Sequence, residues 1–134
     1  MAGYSDRRLV DKLGIKPGTR IAILNAPRGY RATLGTLPPG VVVASAPRGT
    51  FPFIQFFTRS RSLLQTKLDM LLRALEPDGA LWISWPKKAS GVATDMTEDA
   101  VREIALPVGL VDIKVAAVDD VWSGLKLVRR LGNR

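Results

Sequence analysis

Arg20-Ile21-Ala22-Ile23-Leu24-Asn25 is a nearly continuous apolar run, entered from the turn Lys16-Pro17-Gly18-Thr19. A strand with one wet face alternates apolar and polar residues; this one does not, which marks it as buried on both faces. Such strands belong to parallel sheets with helices packed on either side. The pattern returns in Val41-Val42-Val43-Ala44-Ser45, read as a second buried strand, and in Ala80-Leu81-Trp82-Ile83-Ser84-Trp85, read as a third. Residues 59–75 read as the longest helix. Leu64, Leu68, Leu71, Leu72 and Leu75 form its apolar stripe, and Glu76-Pro77-Asp78-Gly79 stops it.

Shorter elements complete the pattern. Ser5 is expected to cap a helix with Leu9, Val10 and Leu13 inward, closed by Gly14 and Ile15. Residues 28–34 form a short helix or turn before Pro38-Pro39-Gly40. Thr97 caps a helix whose first turn holds Glu98 and Asp99, where the helix dipole favours negative charge, and which ends before Pro107. Residues 111–118 and 125–130 are the last two strands; Val111, Ile113 and Val115 alternate against Asp112 and Lys114, as expected near a sheet edge. The expectation is one α/β domain over residues 1–134, a three-layer sandwich of about five strands, mostly parallel with a C-terminal antiparallel hairpin.

A chain of 134 residues with 46% hydrophobic and 24% charged residues is long enough to bury roughly two-thirds of the surface its unfolded form exposes. With no cysteine and no histidine, it can build no disulfide, thiolate or imidazole metal site, and no Ser–His or Cys–His catalytic pair. Carboxylates, Lys, Tyr and backbone amides are left for any chemistry; no metal is expected. The net charge of +8 is unevenly placed: residues 1–68 carry +9 and residues 69–134 carry −1. No carboxylate occurs between Lys12 and Lys67, while nine basic residues do. That excess either solvates the surface or presents a positive field to an anionic partner. Met1-Ala2-Gly3-Tyr4-Ser5-Asp6-Arg7-Arg8 leads into no hydrophobic stretch, and no apolar run approaches the ~20 residues that span a bilayer. A soluble, cytoplasmic protein without membrane partners is expected.

In an open parallel sheet, ligands bind beyond the carboxyl ends of the strands. The three buried strands continue as Asn25-Ala26-Pro27-Arg28-Gly29-Tyr30, Ser45-Ala46-Pro47-Arg48-Gly49-Thr50 and Ser84-Trp85-Pro86-Lys87-Lys88-Ala89-Ser90-Gly91. Each ends in proline followed by a cation, and Ala-Pro-Arg-Gly recurs 20 residues later. The candidate site is therefore an anion-binding rim of Asn25, Arg28, Gly29, Tyr30, Arg48, Lys87, Lys88, Ser90, Thr94 and Asp95. Proline also simply stops strands, and the cations also serve as loop cover. Asp95 either orients a ligand or acts as a base, or caps the next helix or pairs with lysine.

All four phenylalanines fall in Phe51-Pro52-Phe53-Ile54-Gln55-Phe56-Phe57. The segment reads as core beneath the long helix, with a partner-binding patch or aromatic lid as the alternative. Trp82, three residues from Trp85 on the same strand, faces the opposite side and reads as core.

Two passages have a family look. Leu13-Gly14-Ile15-Lys16-Pro17-Gly18-Thr19-Arg20-Ile21 resembles the approach to the first strand of S-adenosylmethionine-dependent methyltransferases. Leu75-Glu76-Pro77-Asp78-Gly79-Ala80-Leu81-Trp82 resembles the approach to their fifth. The resemblance implies a Rossmann-like, methyltransferase-like sheet whose last strand inserts antiparallel beside the Ala80 strand. It implies no cofactor residue here: the glycine-rich loop is replaced by Asn25-Ala26-Pro27-Arg28-Gly29, and no acidic residue ends the second strand. Almost the whole chain also resembles a family of small bacterial proteins catalogued only as a domain of unknown function. That likeness rests on Lys12-Leu13-Gly14-Ile15-Lys16-Pro17-Gly18, Trp85-Pro86-Lys87-Lys88, Thr94-Asp95, Val101-Arg102-Glu103, Gly109-Leu110-Val111-Asp112, Lys114-Val115 and Trp122-Ser123-Gly124-Leu125-Lys126. It lends no activity.

The leading expectation is a non-catalytic domain that uses no cofactor and binds an anionic small molecule or partner at the rim. Three alternatives stand beside it. One is a homodimer module, using a first strand at the sheet edge or the Phe51–Phe57 segment. Another is a non-specific nucleic-acid binder. The last is an enzyme with Asp95 as base beside Lys87 or Lys88, against which stands the lack of a visible nucleophile–base pair.

Overall fold

The computed structural model describes residues 8–134. Its elements are α1 (Leu9–Leu13), β1 (Arg20–Leu24), α2 (Tyr30–Leu34), β2 (Val42–Ala44), β3 (Phe51–Phe57), α3 (Arg61–Ala74), β4 (Leu75–Pro86), α4 (Glu98–Ala105), β5 (Leu110–Ala117) and β6 (Trp122–Arg129). The six strands form one sheet in the order β2-β1-β3-β4-β6-β5. β2, β1, β3 and β4 are mutually parallel, and β6 lies antiparallel between β4 and β5. Insertion of the last strand beside the Ala80 strand is as expected; the strand count is six, not five.

The extra strand is β3. Phe51, Phe53, Phe56 and Phe57 are all buried, paired to β1 on one side and β4 on the other. The segment is therefore core, as expected: Phe51, Ile54 and Phe56 pack beneath the leucines of the long helix, but they do so as a strand of the sheet, and the segment is not available as a patch or lid. Pro52 has no N–H to give to a ladder, and the ladder accommodates it by shifting register between Phe51 and Phe53. Two further expectations change with it. The first strand is not at the edge, because β2 covers it. The second strand is not buried: β2 is the three-residue edge, with Val42 58% exposed.

Two cores lie on the two faces, giving the expected three layers. On one, Leu64, Leu68 and Leu71 of α3 and Val101 and Ile104 of α4 pack over Ile54, Phe56, Ile83 and Trp85. On the other, Val10 and Leu13 of α1 and Leu34 of α2 pack over Ile21, Ile23, Phe57 and Trp82. The two tryptophans do face opposite sides, and both are buried. The α3 helix starts at the Ser60 N-cap, whose hydroxyl accepts from Leu63 N–H, and α4 starts at Thr97, which accepts from Ala100 N–H. Gly14 closes α1, its N–H reaching Asp11 O and the N–H of Ile15 reaching Val10 O. Ser5 lies outside the described residues. No helix among those described is long and apolar enough to cross a membrane.

Candidate functional site

Parallel pairing brings the carboxyl ends of β2, β1, β3 and β4 to one rim, in that order. Each strand is followed within four residues by a cation: Arg48 after β2, Arg28 after β1, Arg59 after β3, and Lys87 and Lys88 after β4. At about 4.8 Å between strands, such a row spans roughly 14 Å. Arg28, Arg48, Arg59 and Lys88 are exposed, and none of their side chains has an ion-pair or hydrogen-bond partner among the described residues. Away from the rim, Arg61 pairs with Glu103, Arg73 with Asp69, and Arg102 with Glu98, Asp99 and Asp112, while Arg31 and Arg130 are exposed with no ion pair among the described residues.

A cleft of about 320 Å³ opens beside this row. Asn25 and Pro27 line it from the end of β1, and Phe57, Thr58 and Arg59 from the end of β3. Val92 of the loop after β4 and Val121 and Trp122 of the β5–β6 turn complete it. Trp122 is half-buried at its edge, and the fully buried Phe57 ring packs behind it edge to face at 5.2 Å between centroids. Asn25 adopts φ 58°, and its amide donates to Phe57 O at 2.7 Å, locking the β1 exit to the β3 exit.

The expected site residues divide into two groups. Asn25, Arg28, Gly29, Arg48 and Lys88 are exposed at the rim. The others are committed elsewhere. Tyr30 is 3% exposed, and its hydroxyl donates to buried Gln55 Oε1 at 2.7 Å. Burial pushes its phenol above the ordinary range, which keeps it protonated and a donor. It is a core residue, not a rim residue. The Lys87 ammonium donates to Asp119 O at 2.6 Å, tying the end of β4 to the β5–β6 turn. Ser90 Oγ donates to Lys87 O at 2.6 Å, which shapes the loop. Thr94 Oγ1 donates to Arg59 O at 2.6 Å, and Asp95 Oδ1 accepts from Arg61 N–H at 2.8 Å. Asp95 thus caps the preceding helix α3, and the lysines expected around it are not its partners.

Arg59 and Trp122 line the cleft but are not among the residues expected from the sequence. The signal is present: once Phe51–Phe57 is counted as a strand, Arg59 becomes the cation that follows it, as at the other three strand ends.

The loop between β1 and α2 departs from a glycine-rich cradle. Gly29 is its one glycine, required by φ 82°, and a Cβ placed there would meet nothing within 4 Å. No group of three or more carboxylates able to hold a metal occurs among the described residues.

Solved structures share this fold. A SAM-dependent methyltransferase from Aquifex aeolicus superposes with a TM-score of 0.62 at 15% identity, over 89% of this chain and 86% of that one. The N-methyltransferase NodS from Bradyrhizobium japonicum gives 0.58 at 12% identity, over 91% and 90%. TrmN from Thermus thermophilus gives 0.57 at 15% identity, over 91% of this chain but 47% of its own. At such identities the likeness defines a class of fold: the chain is a methyltransferase-like α/β domain. No family model matches it and no curated protein is similar to it, so the likeness to a small bacterial family rests on the quoted strings alone.

Proposed function

We propose that this chain is a non-catalytic member of the methyltransferase-like fold class that binds a small organic anion at the carboxyl-end rim of its sheet. The observation that carries this reading is the row of unpaired cations, one after each of four adjacent strands. Cations set one after each of four neighbouring strands, none of them in an ion pair, present a positive field that attracts an anion. The cleft beside them, about 320 Å³ with Trp122 at its edge, sits at the small end of ligand sites. A phosphate or carboxylate would meet Arg28 and Arg59, and an apolar or ring portion would lie against the half-buried Trp122.

The residues present do not fit S-adenosylmethionine, the cofactor the fold class implies. The β1 exit carries Asn25, Ala26 and Pro27 where close backbone approach is needed, and Gly29 answers a turn rather than a contact. β2 is followed by Arg48, which offers donors where ribose hydroxyls call for an acceptor. Catalysis has little to draw on in the same place, since Asp95 is engaged by α3 and Tyr30 by Gln55.

Thermal unfolding against inorganic phosphate, nucleoside mono- and triphosphates, dinucleotides and S-adenosylmethionine tests the reading. A ligand at ~100 times its Kd adds about 2.7 kcal/mol, several degrees in a domain of this size. The expected result is a shift with a phosphate-bearing compound that disappears in Arg28→Glu/Arg59→Glu. No shift with any anion, or the same shift in the variant, sinks the rim; a shift with S-adenosylmethionine alone restores the cofactor.

A further inference from the structure

The second basic surface lies away from the rim, on the α1 face of the β5–β6 hairpin. Lys114 of β5 stands directly across the ladder from Lys126 of β6. Like charges so placed repel, and natural sheets usually set an opposite charge there. The Lys114 ammonium lies 6.0 Å from the centroid of the buried Trp82 ring, whose Nε1 donates to Leu13 O of α1 at 3.0 Å. Lys126 is half-buried and held below the usual lysine range, first by burial and then by the charges of Lys114 and Lys16. Lys12 joins the same flank, donating to Ala117 O at 3.0 Å.

Asp112 is two residues from Lys114, and in a regular strand it would share that face and neutralise it. It does not, because the β5–β6 register shifts between Asp112 and Lys114, leaving Ile113 as an extra residue. The bulge sends Asp112 to the other side of the sheet, where Arg102 Nε of α4 donates to it at 2.8 Å. That guanidinium holds the Asp112 carboxyl below the usual carboxylate range. The fold thereby separates a carboxylate from three lysines that sequence alternation would have let it screen.

We propose that this face, with Lys16, Lys114 and Lys126 around Trp82, is a docking surface for the phosphate backbone of duplex nucleic acid. Lysines are point charges suited to phosphate contact without base readout. Single strands are ordinarily held by stacking on exposed aromatics. Among the described residues the exposed large apolar side chains are Val42, Val108, Ile113, Val115 and Leu131, none of them aromatic. The net charge of +8 acts in the same direction by steering a polyanion to the surface.

The test is fluorescence anisotropy of a labelled 20-bp duplex across a salt series. Three phosphate contacts give a slope of log K against log salt near −2.7, or about 40-fold weaker binding from 50 to 200 mM. Lys16→Gln/Lys114→Gln/Lys126→Gln is expected to lose at least tenfold in affinity at 50 mM and to flatten the slope by about that amount. Thermal unfolding of the variant establishes that it is folded. Arg28→Gln/Arg48→Gln/Arg59→Gln removes the same charge at the rim and is expected to bind duplex nearly as the wild type does, so the two sites fail separately. Equal losses in both variants, or loss in the rim variant alone, overturn the assignment. So does a wild type that leaves the duplex unbound at 50 mM, or that prefers the single strand. Competition by polyglutamate of equal charge as effective as by unlabelled duplex would turn the surface over to an acidic protein.

Discussion

Tyr30, Gln55 and Ser84 form a buried relay between α2 and the sheet: the phenol donates to Gln55 Oε1 at 2.7 Å, and Gln55 Nε2 donates to Ser84 Oγ at 3.1 Å. Among the described residues no buried side-chain polar atom lacks a partner. Tyr30→Phe keeps the ring against Phe57 but leaves Gln55 Oε1 without its donor, so a loss of about 1–3 kcal/mol is expected in urea unfolding. A loss below about 0.3 kcal/mol would mean that water reaches the amide. The sequence alone assigns Tyr30 to the rim because it comes directly after Ala-Pro-Arg-Gly. The repeated string shares a positive-φ glycine, Gly29 at φ 82° and Gly49 at φ 91°, but turns differently, with Tyr30 N–H donating to Pro27 O in one copy and Arg48 N–H to Ala46 O in the other. The two copies also diverge after the glycine, since Tyr30 opens a helix turned inward and the second copy leads into a strand. Lys126 supplies a second prediction. Its folded pKa lies below its unfolded value, so between the two the folded chain binds fewer protons than the unfolded one. Its contribution to stability is therefore least favourable below the folded pKa and improves as pH rises toward about 10.5. Lys126→Gln should stabilise the neutral-pH protein by up to about 0.5 kcal/mol, a figure already discounted for solvent screening, and should flatten the alkaline limb. Unchanged curves from pH 7 to 10 would show that the ammonium is fully solvated.

The elements most legible in the sequence are those with one strong local signal. β1 after Arg20 and β4 from Ala80 to Trp85 are nearly continuous apolar runs, α3 has its leucine stripe, and α4 has its Thr97 cap. β3 escapes such a reading because its signals conflict: seven residues buried on both faces leave no alternation, and Pro52 argues against a central strand. A register shift resolves the conflict, and nothing in single-residue preference announces one. The same holds for β5, where the bulge at Ile113 overturns the alternation read from residues 111–115. Between elements, Asp95 is the informative case, an acid in a loop after β4 that serves a helix 34 residues earlier in the chain. Its carboxylate takes one of the free N–H groups in the first turn of α3, where the helix dipole also favours negative charge. Asp95→Ala is expected to cost about 1 kcal/mol and to speed amide exchange at Arg61 and Leu63. If it leaves stability unchanged and abolishes a ligand-induced shift instead, the residue belongs to the site and not to the helix.

Charge that is uneven along the chain becomes uneven across the sheet. The basic half of the sequence builds β2, β1 and β3, which are adjacent, and the nearly neutral half builds β4, β6 and β5. That consequence is legible in the composition, but its direction depends on strand order. A molecule with a net charge of +8 repels itself, and screening relieves the repulsion, so its Tm should climb as sodium chloride rises from about 20 to 200 mM. Screening depends on ionic strength alone, whereas binding at a site depends on which anion is present. Phosphate at matched ionic strength should therefore raise Tm further than chloride if the rim cations act together. Two variants separate these effects, because Arg28→Glu/Arg59→Glu and Lys67→Glu/Arg130→Glu both reduce the net charge to about +4. In chloride both should climb less steeply than the wild type, and by equal amounts, since self-repulsion follows total charge. In phosphate the Lys67→Glu/Arg130→Glu protein should keep the extra rise and the Arg28→Glu/Arg59→Glu protein should lose it. Chloride and phosphate curves that superimpose in the wild type would mean the rim charges are individually solvated, and the four strand ends would then share a position without sharing a ligand.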